Sequence, residues 1–294
     1  MDAAASTRRP RRVALATVFV LALLALMLAG APSARADVND FTFDSFDADM
    51  LLTRTSDGHA ALNVTETIVA RFPDEDQNKG IVRVIPDDYN DIPLHTEVVS
   101  VTDGNGSPVP YEVEESRREV RVLTGDDTYV RGVQTYVISY TQRDTIRSFG
   151  DTDADEFYRD INGTDGKQPY GEVSARLRVD ADLAEAALDG AASCYQGPLG
   201  SRTPCDISPS GGAGAPLTWS ARAANLGPGE NMTIAVGFVR GTFVAGEVYR
   251  TPLEQFSADN AAMLGGVSLG AVGLGLAGVG AVSYTHLTLP TILR

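Results

Sequence analysis

Cysteine and histidine are nearly missing from this sequence: two cysteines and three histidines stand among 294 residues, with a single tryptophan. A zinc site built from these residues needs clustered ligands. No histidine lies near CYQGPLGSRTPC, the stretch that holds both Cys194 and Cys205. A CxxC redox pair is absent, and residues 37–260 contain no Walker loop, no GxGxxG and no Gly-x-Ser-x-Gly nucleophile elbow. Basic residues are also few. Residues 37–260 hold 38 of the 39 acids but 18 of the 24 basic residues, a net charge of −20. Phosphate backbones and anionic lipid headgroups are bound by basic surfaces, so no nucleic-acid partner is expected.

Long apolar runs occur only near the two ends. Arg8, Arg9, Arg11 and Arg12 precede the apolar run Val13–Ala31, and Ala34-Arg35-Ala36 follows Pro32. This is the order of a secretory signal, so residues 1–36 are expected to be a signal peptide whose cleavage site is marked by Ala34 and Ala36. The second run, Ala261–Val282, is uncharged and glycine-rich. Its length matches one hydrocarbon thickness, and glycines four apart, such as Gly266 and Gly270, permit close helix approach. A transmembrane helix is expected over 261–281, after a juxtamembrane linker at 246–260. The chain is thus expected in the cell membrane, with residues 37–260 on the extracytoplasmic side. The tail VSYTHLTLPTILR (282–294) matches, in register, the translation of a transposon end and adapter used in sequencing libraries. It is expected to be an artefact that truncates the span.

Between these ends the apolar pattern is that of strands. Alternating, β-branched segments occur at 63–72, 80–86, 96–102, 119–124, 133–143, 172–179, 217–223 and 232–239, with turn residues such as Asp103-Gly104-Asn105-Gly106 and Gly227-Pro228-Gly229 between them. The expectation is an all-β exported domain over 37–245, an antiparallel β-sandwich, as one large or two small units with a seam near 145–162. Two helical turns are expected in ADLAEAAL, 181–188. On the exported side of a membrane Cys194 and Cys205 should oxidise, and Gly197, Pro198, Gly200 and Pro204 let the loop between them turn back.

Candidate chemistry is thin. GDTDADEFYRDINGTDG (150–166) alternates acids at Asp151, Asp153 and Asp155, but the sixth and twelfth places hold Glu156 and Asn162, not the Gly and Glu of an EF-hand. It reads as a solvated acidic loop. Asp155, Glu156 and Asp160 are carboxylate candidates by type only. His59 and His95 read as surface residues, and the glycosylation triplets at Asn63, Asn162 and Asn231 as accidental. No catalytic, metal or cofactor residues are assigned.

One resemblance emerges from the order of short motifs. Phe43-Asp44-Ser45-Phe46-Asp47-Ala48-Asp49 is followed by Gly58, Val64-Thr65-Glu66-Thr67 and Phe72, then by Lys79-Gly80-Ile81-Val82-Arg83-Val84-Ile85-Pro86. Later come Gly132, Tyr136-Val137-Ile138-Ser139-Tyr140, Asp155-Glu156-Phe157-Tyr158 and Asn162-Gly163. Over Phe43–Gly241 the chain resembles the domain of unknown function 2207 family of predicted bacterial membrane proteins. Arg159 and Lys167 stand where that family tends to carry aromatic residues. The resemblance implies an exported β-rich domain with membrane spans and lends no catalytic residues. The function expected is a non-catalytic binding or assembly module of the cell envelope, whose partner is a protein or envelope glycan. The alternatives are an envelope hydrolase using carboxylates or a metal near Asp151–Asp160, and a subunit of a membrane complex whose working part lies beyond residue 281.

Overall fold

The computed structural model describes residues 37–149, 153–212 and 214–249. The signal, the linker beyond Tyr249 and the apolar run at 261–281 lie outside them. No helix among the described residues is long and apolar enough to cross a membrane.

In chain order the strands are β1 (Thr42–Arg54), β2 (Ala60–Phe72), β3 (Val82–Pro86), β4 (Asp88–Tyr89), β5 (Ile92–Pro93) and β6 (Glu97–Asp103). Then come β7 (Tyr111–Glu115), β8 (Glu119–Thr124), β9 (Gly132–Arg143), β10 (Ile146–Phe149), β11 (Ala154–Asp160) and β12 (Tyr170–Val179). A short helix α1 (Ala181–Ala186) leads to β13 (Ala187–Pro198), β14 (Thr203–Pro204), β15 (Asp206–Gly211), β16 (Leu217–Leu226) and β17 (Glu230–Val239). The domain is mostly β, built of several sheets.

The largest sheet has seven strands in the order β15-β16-β12-β1-β2-β9-β6. Alternation decides its faces, because neighbouring side chains on a strand point opposite ways. Leu62, Val64, Ile68 and Ala70 of β2 are buried with Ile138 and Tyr140 of β9 and Val173, Ala175 and Leu177 of β12. The other face is polar: Asp47 and Asp49 of β1 pair with Arg176 and Arg178 of β12. Over the buried face lie a five-stranded sheet, β10-β11-β17-β13-β14, and a three-stranded sheet, β3-β8-β7; β4 and β5 form a separate hairpin. Residues of all three sheets share one apolar core, with Trp219 of β16 set edge-on to Phe238 of β17 at 6.1 Å. β17 is buried on both faces from Asn231 to Phe238.

Two elements depart from simple alternation. β1 pairs with β12 in parallel, the one exception to an otherwise antiparallel ladder among the described strands. β1 also carries a bulge between Phe43 and Ser45. The extra residue lets Phe43 and Phe46, three apart, both point into the core. Gly171 lies beside this bulge, where a Cβ would meet the Asp44 carbonyl oxygen at 2.7 Å.

The stretch 145–162 is no seam. β10 and β11 form a hairpin at the edge of the five-stranded sheet, and Phe157 and Ile161 are buried in the shared core. Helix α1 is shorter than its sequence suggests. Asp180 caps its N-terminus by accepting from the Leu183 amide at 3.0 Å, and Ala187 turns extended to start β13. Cys194 of β13 and Cys205 form a disulfide. It closes the β13–β14 hairpin at the point where the chain crosses to β15 in the other sheet.

Candidate functional site

The site begins with a charged residue on an apolar face. Glu66 occupies the inward position between Val64 and Ile68 of β2, and Arg83 the inward position between Ile81 and Ile85 around β3. Both are buried, 1% and 6% exposed. Burying a charge is expensive unless it is paired and hydrogen-bonded. Arg83 meets that demand as a fork: Nε donates to Glu66 Oε2 and Nη2 to Oε1, each at 2.7 Å. Its remaining hydrogens go to the carbonyls of Val84, Ile161 and Asn162 at 3.0–3.1 Å. The guanidinium also lies 5.0 Å from the centre of the Phe46 ring. Burial alone would pull its pKa down; the Glu66 carboxylate outweighs burial and holds it above the ordinary value.

The network continues across the sheets. Tyr140 donates to Glu66 Oε1 at 2.7 Å, and Arg159 donates to the Tyr140 oxygen and to Gln142 Oε1, each at 2.6 Å. Gln142 donates in turn to the Pro86 carbonyl at 2.7 Å. Burial pushes the Tyr140 hydroxyl well above its usual range, so it stays a donor. β2, β3, β9 and β11 are thus joined by one polar chain, and Arg159 serves in it through its guanidinium.

Beside this network a groove of about 550 Å³ opens between β3, the end of the seven-stranded sheet and the 162–168 loop. Its floor is aromatic. Phe43 stacks on Tyr170 at 4.8 Å, Phe41 meets Phe43 edge-on at 5.2 Å, and Phe46 meets Tyr170 at 6.1 Å. The rim carries Arg118, Arg121, Glu119, Asp165 and Lys167. Gly163 shapes the loop side: its φ is +84°, and a Cβ there would sit 3.3 Å from Arg83 Nη1. Lys167 thus falls on the groove rim.

Asp151 lies outside the described residues; from Ala154 to Asp160 the acidic stretch is strand β11 and not a solvated loop. Asp155 is fully buried on β11, accepting from Ser148 Oγ at 2.5 Å and from the Phe243 amide at 3.0 Å. Asp160 accepts from Asn231 Nδ2 at 2.8 Å and Thr233 Oγ1 at 2.6 Å, and burial raises its pKa. Glu156 is buried too. Strand pairing with β17 drew these acids inward. Asp153 stays outside with Arg240. No group of three His, Cys, Asp or Glu among the described residues could hold a metal.

His59 differs from the surface reading, whereas His95 is exposed as that reading expects. His59 Nδ1 lies 2.7 Å from Asp144 Oδ1 although 85 positions separate them, and His59 and His95 line one shallow pocket with Arg143 and Tyr249. Of the three glycosylation triplets, Asn162 and Asn231 are buried and hydrogen-bonded within the fold.

The Glu66–Arg83 pair had a visible signal: a charge at the inward parity of an alternating strand. The groove had none, because its walls come from segments near 40, 80, 120 and 165.

Among solved structures, the chain is similar to an M1 zinc metallopeptidase from Deinococcus radiodurans, with 13% identity over 68% of this chain and 45% of that one, at a TM-score of 0.36. It is also similar to native leukotriene A4 hydrolase from Saccharomyces cerevisiae, with 11% identity over 73% of this chain and 33% of that one, at a TM-score of 0.39. The chain spans less than half the length of the solved structures it matches. Comparison with curated proteins gives no match. The family model described as predicted membrane protein (DUF2207) N-terminal domain matches residues 44–238, from the bulge of β1 to the end of β17. On that match the chain belongs to the DUF2207 family of predicted membrane proteins.

Proposed function

We propose that this chain is a non-catalytic binding or assembly module of the bacterial cell envelope. A signal at 1–36 directs it outward, a helix over 261–281 anchors it, and the β domain stands on the extracytoplasmic side. The observation that carries the reading is the aromatic-floored groove held open by the buried Glu66–Arg83 network. A site whose walls are fixed before binding loses less freedom when it binds. The Cys194–Cys205 disulfide supports an oxidising compartment. Against the hydrolase alternative, Asp155 spends both oxygens and Asp160 its Oδ1 on internal hydrogen bonds, which suits scaffold better than chemistry.

The test compares hydrogen exchange of the full chain in its native membranes and after purification into detergent. An envelope partner is expected to slow exchange at 78–86 and 162–170 in the membranes alone. Equal exchange in both states would remove the binding reading. A membrane-impermeant amine reagent applied to intact cells is expected to label Lys167. Labelling only after lysis would place the domain on the other side.

A further inference from the structure

We infer that the groove takes its ligand as an extended peptide that adds one more strand to the open edge of β3. This rests on the reading of the chain as a binding module acting through that groove. β3 is the outer strand of its sheet, bonded to β8 on one side only. Thr124 N donates to the Ile81 carbonyl and Asp87 N to the Arg118 carbonyl. In an antiparallel ladder the peptide groups of alternate residues face the partner strand. Ile81, Arg83 and Ile85 therefore face β8, and Val82, Val84 and Pro86 face away. Two of the outward carbonyls are already taken: that of Val84 by Arg83 Nη1, and that of Pro86 by Gln142 Nε2. The Val82 N–H, the Val82 C=O and the Val84 N–H point to the side on which no strand pairs with β3 among the described residues. Val82 and Val84 line the groove.

A strand laid along that edge alternates its side chains, one set toward the Phe43, Phe46 and Tyr170 floor, the other toward the rim. A sugar chain would find the aromatic floor but offers no donors and acceptors at strand spacing. Charge narrows the occupant further. Among the described residues, the cationic side chains without an acceptor are Arg118, Lys167 and Arg202; the others have carboxylate, carbonyl, amide or hydroxyl partners. Two of these three line this groove, on a chain of net charge −15. Glu119 and Asp165 share the rim and disfavour a ligand anionic along its whole length. The fit is an apolar peptide with acidic residues placed to meet Arg118 and Lys167. The Arg83 fork ties β3 to the 161–162 backbone, so the edge is fixed before the peptide arrives.

The probe is the heptapeptide acetyl-Glu-Val-Thr-Val-Thr-Val-Glu-amide, titrated into the full-length chain in detergent and followed by calorimetry and hydrogen exchange. Saturable binding with slowed exchange at 82–84 is expected. Replacing both glutamates with lysine, or N-methylating alternate peptide nitrogens, should each weaken binding about fivefold to tenfold. Val84→Pro removes one open donor at an edge position where proline is tolerated, and should weaken binding by a similar factor with the unfolding midpoint unchanged. If that variant does not fold, the N-methylated peptide carries the test alone. Equal affinity of the N-methylated and parent peptides overturns strand addition, as does failure of the parent peptide to bind. Protection of the groove by N-acetylglucosamine tetramer, without peptide binding, also overturns it and leaves the binding-module reading standing. Loss of the native-membrane protection as well would remove both.

Discussion

Two sets of ion pairs in this domain use the same chemistry in opposite surroundings. On the outer face of the seven-stranded sheet, Asp49 meets Arg178 at 2.7 Å with the arginine side chain 49% exposed. On the inner side, Glu66 meets Arg83 at the same distance with the arginine side chain 7% exposed. The outer pairs are screened by water and salt, and each contributes little. The inner pair has no water to fall back on, so its worth appears when one partner is removed. Geometry explains what it is there for. The outer pair joins neighbouring strands already bonded to each other. The inner pair joins strands of different sheets and sets the wall of the groove.

The largest expected effect comes from breaking the inner pair. Glu66→Gln leaves a buried guanidinium without its carboxylate and should destabilise by about 3–5 kcal/mol in denaturant unfolding. Pairing Glu66→Leu with Arg83→Met removes both charges and should recover most of that loss. A double variant as unstable as the single one would show that the carbonyl contacts of Arg83, not the charge pair, hold the sheets.

Next comes the covalent staple. Cys194→Ser with Cys205→Ser should destabilise by about 2–3 kcal/mol on the chain-entropy account, read as a lower unfolding midpoint that reductant no longer changes.

Asp160 offers a smaller, pH-dependent test. Burial raises its pKa above the ordinary aspartate value of 3.8. The folded state then binds the proton more tightly than the unfolded one. The group's contribution to stability is fully present below 3.8 and declines as pH rises through the raised value. Asp160→Asn keeps an acceptor for Asn231 and Thr233 but cannot ionise. Its stability relative to the parent should therefore improve as pH rises. Parallel pH curves for the two proteins would contradict this account.

The smallest effect is expected at the outer pair. Arg178→Ala should change stability by less than about 1 kcal/mol, and less again in high salt. A larger change would mean that the outer pairs act as one network and would erase the contrast with Glu66 and Arg83.

The strands whose apolar residues alternate cleanly, β2, β3, β8, β9, β12 and β16, were legible in the sequence because a period of two is a local property of the chain, and β17 was legible as a short, β-branched apolar run after a turn. β1 was not, since its bulge replaces alternation with Phe43 and Phe46 three apart. β11 was not either, because its acids read as solvent-facing. Their burial depends on Ser148, Asn231, Thr233 and the Phe243 amide, and no local pattern announces those partners.

Composition, two cysteines close enough to pair and the alternation of β-branched residues were enough to determine an acidic, disulfide-bearing, mostly β domain. The ordered motifs were enough to place it in its family. Tertiary structure alone decided that Glu66 would find Arg83, that the acids of β11 would turn inward, and that Phe43, Val82, Arg118 and Lys167 would border one groove. The physical reason is range. Strand identity follows from neighbours along the chain, whereas a buried charge or a groove exists only once strands distant in sequence have been brought together.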